Sequence, residues 1–311
     1  MAQSLGLTLR IGTRGSPLAL VQAESVRLAL ANVHGFDAAK IEIHVIRTSG
    51  DRIQDRPLAD AGGKGLFTKE IEQALLDDEI DFAVHSAKDM PTFLPDGLMI
   101  AACLEREDPR DVFISHKAQS IATLPRNASV GTSSPRRVAL VKRLRPDITT
   151  PLLRGNVETR LRKLEAGDAD ATILALAGLK RLGLSNVATK IMSADEFLPA
   201  VGQGAIAIEI RTEDARMRGI LAPVDHQDTS RALTAERAFL AVLDGSCRTP
   251  IAGHATVAGN TMSFRGLVSS PDGAQTYETS REGAASNAEA IGADAGRELK
   301  ERAGPDFFQD Q

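Results

Sequence analysis

A short polar segment, Ser86-Ala87-Lys88-Asp89, follows an apolar run and precedes Pro91. The apolar residues Phe82-Ala83-Val84 predict the end of a buried strand, and the proline restricts the backbone just beyond. In α/β folds, ligands bind at the carboxyl ends of strands. A carboxylate beside an ammonium group there can face a developing positive charge or pass a proton. The alternative is a solvated Lys-Asp pair that merely ends a strand, and this segment alone does not exclude it.

Composition limits the classes of function. The chain has 311 residues, of which 42% are apolar and 25% charged, as expected for two or three globular domains. The net charge of -4, one Tyr and no Trp argue against a nucleic-acid partner. We see no signal peptide and no apolar run long enough to span a membrane. Two distant cysteines, Cys103 and Cys247, fit a reducing compartment. We therefore expect a cytoplasmic protein without a membrane partner, and a monomer because no long exposed apolar stripe is evident.

Two similar turns predict anion sites at helix N-termini. In each, a glycine-rich turn leads to a serine that can cap a helix, Ser16 or Ser134, and then to a proline at the first helical position. Arg14 lies in the first turn, and free N–H groups at a helix start attract anions. We expect Leu18, Val21, Ser25 and Leu28 to share the core-facing side of the first helix. The repetition suggests two similar domains that present equivalent helix N-termini to one cleft.

Further arginines occupy comparable loop–helix junctions. Asn156 can cap a helix through Ala166, which puts Arg154 before the cap and Arg160 in the second turn. Arginine binds carboxylates bidentately and stays charged, although a surface role is the alternative for each one taken singly. On a mildly acidic protein this concentration suggests a compact polyanionic ligand. The predicted anion-binding residues are Arg14, Arg136, Arg137, Arg154, Arg160 and Arg181, with Ser16, Ser86, Lys88, Thr132 and Ser134.

The order of segments predicts an α/β protein with two doubly wound domains and a small C-terminal α+β domain. Charged residues around Arg106 and a glycine-rich stretch at Gln203 predict the two places where the chain passes between the first two domains, an outward crossing and a return crossing. Two such crossings would form a double-strand hinge. The predicted domains are residues 1–105 with 203–224, residues 106–202, and residues 225–311. The polar, glycine-rich stretch 48–66 is typical of a lid and of ordinary surface loops, with Lys64 and Phe67 at its end.

The predicted C-terminal domain begins with a helix capped by Thr229, continues with a hairpin around Gly259-Asn260 and ends with a helix over about residues 284–300. Cys247 follows the first of these helices in a Gly/Ser loop, next to Arg248. A neighbouring guanidinium group favours the thiolate form of a cysteine. Cys103 lies in an apolar run and reads as a small buried hydrophobe.

In their order along the chain, these motifs resemble the porphobilinogen deaminase (hydroxymethylbilane synthase) family. The likeness runs from Leu9 to about Ile251. The segments that carry it are residues 14–19, 63–67, 85–91, 106–111, 131–137, 153–157, 177–183, 202–205 and 245–247.

This resemblance implies a fold and a reaction. In the family the first two domains resemble the halves of a periplasmic binding protein, and the third carries a cysteine. The cysteine holds a dipyrromethane cofactor through a thioether, which primes the addition of four porphobilinogen molecules with loss of ammonia at each. Hydrolysis then releases a linear tetrapyrrole for heme biosynthesis. By resemblance the chain is a transferase, Cys247 is the attachment residue and Asp89 is the catalytic carboxylate. We further expect Lys64 and Phe67 to cover the site and Gln203 to contact cofactor or carboxylates. For Arg106 the alternatives are the same ligand contact and, with more weight, a salt bridge in the hinge.

Three other functions compete with this one. A non-catalytic binding protein for a small polycarboxylate would explain the cleft and the arginines, but not the domain that carries Cys247. A phosphate-transferring enzyme would need a Walker-type loop, whose spacing Gly62-Gly63-Lys64-Gly65 lacks. A metal-dependent hydrolase is weaker still, because the six histidines show no ligand pairing.

Overall fold

Three β-sheets form the framework of the computed structural model, which describes residues 8–52, 65–243 and 249–309. Two of the sheets combine parallel and antiparallel pairs, and the third is antiparallel throughout. Each sheet has its own cluster of buried apolar side chains. The expected fold class, two α/β domains and a small α+β domain, is confirmed. In these described ranges, no helix has both the length and the apolar character needed to cross a membrane.

The first sheet has the strand order β2-β1-β3-β9-β4. Its strands are β1 (Leu9–Thr13), β2 (Ile41–Val45), β3 (Phe82–Ser86), β4 (Leu98–Cys103) and β9 (Ile206–Arg211). Strands β1, β2 and β3 run parallel, whereas β9 is antiparallel to both β3 and β4. The first four residues of β3 and the first five of β9 are buried, as expected for central strands covered on both faces. The helices of this part are α1 (Pro17–His34), α2 (Ser49–Arg52), α3 (Lys69–Leu76) and α7 (Ala215–Leu221).

The second sheet has the order β6-β7-β5-β8. Its strands are β5 (Asp111–Ser115), β6 (Val130–Gly131), β7 (Ala171–Ala175) and β8 (Lys190–Ile191). The accompanying helices are α4 (Pro135–Leu144), α5 (Val157–Glu165) and α6 (Leu176–Arg181). Strand β5 is buried along its whole length. The chain therefore enters this sheet between Cys103 and Asp111 and returns to the first sheet between Ile191 and Ile206.

The third sheet is an antiparallel meander covered by helices. It consists of β10 (Ile251–Ala258), β11 (Thr261–Ser269) and β12 (Thr276–Ala284), and its helices are α8 (Gln227–Val242), α9 (Ala288–Ala303) and α10 (Asp306–Gln309). Phe239 of α8 and Phe264 of β11 pack with their ring centroids 5.1 Å apart in the core between sheet and helices. The hairpin predicted around Gly259-Asn260 is confirmed.

Glu236 of α8 joins the three parts of the molecule. Its side chain is fully buried and accepts hydrogen bonds from Arg106 at 2.6 and 3.1 Å, from the Gly202 backbone N–H at 2.6 Å and from the Ala255 backbone N–H at 2.8 Å. Arg106 lies in the outward crossing and Gly202 in the return crossing. The positive charge of Arg106 is the main reason that the pKa of Glu236 falls to about 2 despite burial, which acts in the opposite direction. Both crossings are thus fastened to the C-terminal part by one ionised carboxylate.

Three local predictions were wrong. The first helix buries Ala19, Ala23 and Val26 rather than the face with Leu28, which is 47% exposed; the helix is apolar on several sides, so periodicity did not select one face. The last long helix begins at residue 288, because residues 276–284 form β12. Helix α8 begins three residues earlier than predicted, with the His226 ring accepting from the Thr229 backbone N–H, so Thr229 is not the cap.

Candidate active site

Ser86 and Asp89 of the predicted polar segment line a pocket at the surface of the first sheet. The pocket is bounded by the end of β3 and by the N-terminal turns of α1 and α3. Ser16 caps α1 by accepting from the Ala19 backbone N–H at 3.3 Å, and Ser86 donates to the Gln22 side-chain oxygen at 3.0 Å. The residues lining the pocket are Arg14, Ser16, Leu18, Ala19, Gln22, Phe67, Thr68, Val84, His85, Ser86 and Asp89.

Asp89 and Arg14 face each other across this pocket. Asp89 ends a single 3₁₀ turn that follows β3, and its side chain is 34% exposed. The Arg14 Nη1 atom lies 3.8 Å from Asp89 Oδ2, which is close enough for attraction but too long for a hydrogen bond. Arg14 therefore attracts the Asp89 carboxylate but does not form a hydrogen bond to its oxygens.

Arg14 is held from two other directions. Its Nε and Nη2 atoms donate to Asp51 Oδ1 at 3.2 and 2.5 Å. The guanidinium group also lies over the Phe67 ring, 4.0 Å from the ring centroid, at a distance where a cation is attracted to an aromatic face. Asp51 additionally accepts from the Thr48 hydroxyl at 2.7 Å, and these donors lower the pKa of Asp51 even though burial raises it. The first residues of the predicted lid thus support the site.

Two helices of the second sheet begin at caps formed by the predicted residues. Ser134 caps α4 by accepting from the Arg137 backbone N–H, and Asn156 caps α5 by accepting from the Thr159 backbone N–H at 2.8 Å. The Thr132 hydroxyl accepts from the Ser134 backbone N–H at 3.2 Å. The predicted caps and the proline at the start of α4 are confirmed.

Asp111 pairs with two of the arginines that the sequence predicted to bind a ligand and neutralises part of their positive charge. Arg136 donates to Asp111 Oδ2 at 2.6 Å, and Arg137 donates to Asp111 Oδ1 at 2.7 Å. Asp111 is completely buried. Burial would raise its pKa, yet the two guanidinium groups lower it to about 2. Arg136 and Arg137 are consequently fixed side by side, with less than two full charges to offer.

Lys88 and Gln203 connect the two sheets. The Lys88 ammonium lies 3.5 Å from Gln203 Oε1, and the Gln203 amide nitrogen donates to the Pro109 backbone oxygen at 2.6 Å and to Asp111 at 3.1 Å. Lys88 as a residue is exposed, whereas its ammonium end is desolvated among charged groups of both sheets, Asp89, Asp111, Arg136 and Arg137. This desolvation is the main reason that the pKa of Lys88 falls to about 8; Asp89 opposes the shift and Arg137 adds to it.

Arg160 and Arg154 complete the cationic wall on the second sheet. Arg160 donates to the Gly155 backbone oxygen at 2.8 Å, and Arg154 is buried just before the α5 cap. Burial lowers the pKa of Arg160 to about 10, with Arg137 acting in the same direction and Asp89 against it. Asp89 of the first sheet therefore lies within electrostatic reach of Arg160 of the second.

Two arginines predicted to contact the ligand also bond to the crossings. Arg106 donates to Glu236 and, at 2.9 Å, to the Gln203 backbone oxygen, which is the hinge ion pair. Arg181 donates to the Gly204 backbone oxygen at 2.7 Å. These contacts hold the return crossing against the second sheet.

Lys64 and Cys247 lie outside the described residues, so the structure places neither side chain. Cys103 is buried, as predicted, and burial raises the pKa of its thiol to about 11. Reasoning from the sequence missed Asp51, Asp111 and Gln22. The first two are acids near predicted arginines, but nothing local marked which acid would pair with which arginine.

The pKa of Lys88 leads to a pH prediction. Because it lies near 8 rather than the ordinary 10.5, the ammonium loses its charge as pH rises through 8, and attraction for a polycarboxylate falls. We expect the Michaelis constant to rise above pH 8 in the wild type and to rise less in Lys88→Arg, which stays charged. The measurement is the pH dependence of kcat/KM, with Lys142→Arg on the outside of α4 as control. Identical profiles for wild type and Lys88→Arg would contradict this role.

Comparisons with known proteins identify the family of the chain. Residues 9–219 match the sequence model described as porphobilinogen deaminase, dipyromethane cofactor binding domain, and residues 230–301 match the porphobilinogen deaminase C-terminal domain. The porphobilinogen deaminases of Nitrobacter hamburgensis and Nitrobacter winogradskyi are each 63% identical over 298 residues, which cover 96% of this chain and 94% of each relative. A periplasmic substrate-binding protein of an ABC transporter from Coxiella burnetii aligns with a TM-score of 0.44 and 14% identity over 70% of this chain and 91% of its own. Because both family models match in order and curated relatives align over nearly the whole length, the chain belongs to the porphobilinogen deaminase family.

Proposed function

We propose that the cleft between the first and second sheets joins porphobilinogen units, with Asp89 as the catalytic carboxylate. Family membership gives the transferase activity and the substrate; the residue roles are our assignment. The observation that carries this assignment is the position of Asp89, which follows the end of β3, lies 3.8 Å from Arg14 of the first sheet and, against the effect of burial, acts through its charge to raise the pKa of Arg160 of the second. The acetate and propionate of a substrate can bind these cations while its ring lies at the carboxylate.

Asp89 acts on charge that appears during the reaction. The amine of porphobilinogen leaves in its protonated form. When its C–N bond breaks, ammonia departs with the electron pair and the positive charge passes to the pyrrole ring, where it is delocalised. A fixed carboxylate near the ring stabilises this cation more than it stabilises the uncharged ring of the substrate, which lowers the barrier. A new C–C bond then forms to the neighbouring pyrrole, whose displaced proton Asp89 can accept.

The residues on the second-sheet side suit a dipyrromethane, which carries several carboxylates. Among the described residues the Nε–H of Arg136 is buried and finds no acceptor, which favours a polar ligand beside it. When bound, the dipyrromethane supplies the pyrrole end that receives the first substrate. We assign its attachment, through a thioether, to Cys247. The residues proposed to hold carboxylates of cofactor or substrate are Arg14, Ser16, Lys64, Ser86, Lys88, Arg106, Thr132, Ser134, Arg136, Arg137, Arg154, Arg160, Arg181 and Gln203, with Phe67 supporting Arg14.

The wider assignments are also proposals. We divide the chain into residues 1–105 with 203–224, residues 106–202 and residues 225–311, a division supported by the two passages between sheets. We further propose that the protein is a cytoplasmic monomer.

Incubation of the purified protein with porphobilinogen tests this function. We expect ammonia and a linear tetrapyrrole to be released in a ratio of four to one, and none of either in a protein-free control. Stoichiometric binding of porphobilinogen without ammonia release would instead establish the non-catalytic polycarboxylate-binding alternative.

A further inference from the structure

We infer that Asp51 is a positioning residue that keeps Arg14 beside Asp89 without letting it cap the carboxylate. This inference rests on the proposed role of Asp89. The relevant geometry is a line of three charged groups, Asp51, Arg14 and Asp89, in which the central cation is bonded to one acid and only near the other.

The hydrogen bonds of Arg14 are divided unequally. Its Nε and Nη2 atoms form the fork to Asp51, whereas the Nη1 atom points toward Asp89 and stops at 3.8 Å. A free guanidinium this close to a carboxylate would close to hydrogen-bond distance, about 2.7–2.9 Å. The restraint from Asp51 therefore keeps the Asp89 oxygens available to substrate.

Asp51 is itself well fixed. The buried Thr48 hydroxyl donates to its Oδ2 atom at 2.7 Å, and helix α2 carries it on a backbone that is tied to the start of α3 by the Gly50 N–H bond to the Leu66 oxygen at 2.7 Å. On the other side Phe67 limits the guanidinium plane. The side chains of Arg14 and Asp51 are 21% and 31% exposed, so the pair borders the pocket and is not a buried pair of the core.

The role predicts what happens when the charge of Asp51 is removed. In Asp51→Asn the fork to Arg14 weakens, and Arg14 turns toward Asp89. A guanidinium in contact keeps a carboxylate ionised to lower pH, by about one to three pH units in comparable pairs. Substrate must then displace an ion pair before it reaches Asp89. The limb of the pH–rate profile that Asp89 governs should move down by on the order of one pH unit, and kcat should fall about tenfold.

The experiment is a double-mutant cycle on the full-length holoenzyme. The four proteins are wild type, Asp51→Asn, Arg14→Gln and the double variant, assayed with porphobilinogen for kcat, KM and pH profile. We expect the Asp51→Asn shift in the wild-type background and its absence in the Arg14→Gln background, since no guanidinium remains to turn. If Arg14→Gln is too slow for steady-state assay, the pH dependence of adduct formation followed by intact mass replaces it.

Asp147→Asn is the matched control, because it removes an acid from a similar pair with Arg145 at 2.7 Å, remote from the pocket, and should leave kinetics unchanged. If Asp51→Asn shifted the pH profile equally in the wild-type and Arg14→Gln backgrounds, Asp51 would act only through its charge and not by positioning Arg14. Unchanged kinetics in Asp51→Asn, or a loss of activity that follows a lower melting temperature without any pH shift, would overturn the inference. Wild-type inactivity would instead reject the proposed function itself.

Discussion

Asp89→Asn should retain its fold and its cofactor and yet lose nearly all turnover. The substitution preserves size but removes the negative charge that faces the cation formed when ammonia leaves. Groups that stabilise transition-state charge contribute about a hundredfold to a thousandfold in rate, so we expect a fall in kcat of at least that order. Steady-state ammonia release measures the loss, and thermal unfolding checks the fold.

Asp96→Asn is the control for that experiment. Asp96 is exposed and lies two residues before β4, so its variant should behave as the wild type. If Asp89→Asn retained a tenth or more of wild-type kcat, the catalytic carboxylate would have to be sought elsewhere in the pocket.

Cys247→Ala should carry no cofactor and form no product. The sequence contains two cysteines, and attachment through Cys247 leaves Cys103 as the remaining thiol. The intact mass of the wild type should exceed the sequence mass by two linked pyrrole units, and that of the variant should not. A denatured wild-type sample should titrate one thiol with a thiol reagent.

Cys103→Ala supplies the opposite result. Its cofactor mass should remain, while the denatured sample should titrate no thiol. Since burial raises the pKa of the Cys103 thiol to about 11, the folded wild type should react slowly at pH 8. A cofactor mass that persisted in Cys247→Ala, or disappeared in Cys103→Ala, would move the attachment point.

Structural features that depend only on residues close together in the sequence were predictable. The caps at Ser16, Ser134 and Asn156 depend on a side-chain oxygen reaching a backbone N–H three residues ahead, and that reach can be read from residue order. By contrast, strand β12 contains alternating Thr, Glu, Ser and Arg with one partly buried Tyr, so its apolar pattern was too weak to identify it.

The sequence did not predict which acid pairs with which arginine. Asp51 lies 37 residues from Arg14, and Asp111 lies 26 residues from Arg137. Each of these acids is one of several carboxylates near the predicted site, and only the folded chain decides which of them reaches a guanidinium. The arginines were therefore recognised as a group. Their individual roles became clear only in the folded structure, in particular the partial neutralisation of Arg136 and Arg137 by Asp111.

The position of β9 in the first sheet has a consequence for how the chain is made. Within that sheet β9 lies between β3 and β4, and β4 joins the sheet by pairing with β9. Synthesis proceeds from the N-terminus, so this sheet stays incomplete until Arg211 has left the ribosome, whereas every strand of the second sheet has emerged by Ile191. The inserted part can fold first, and nascent chains that stop before Ile206 expose open strand edges that invite aggregation.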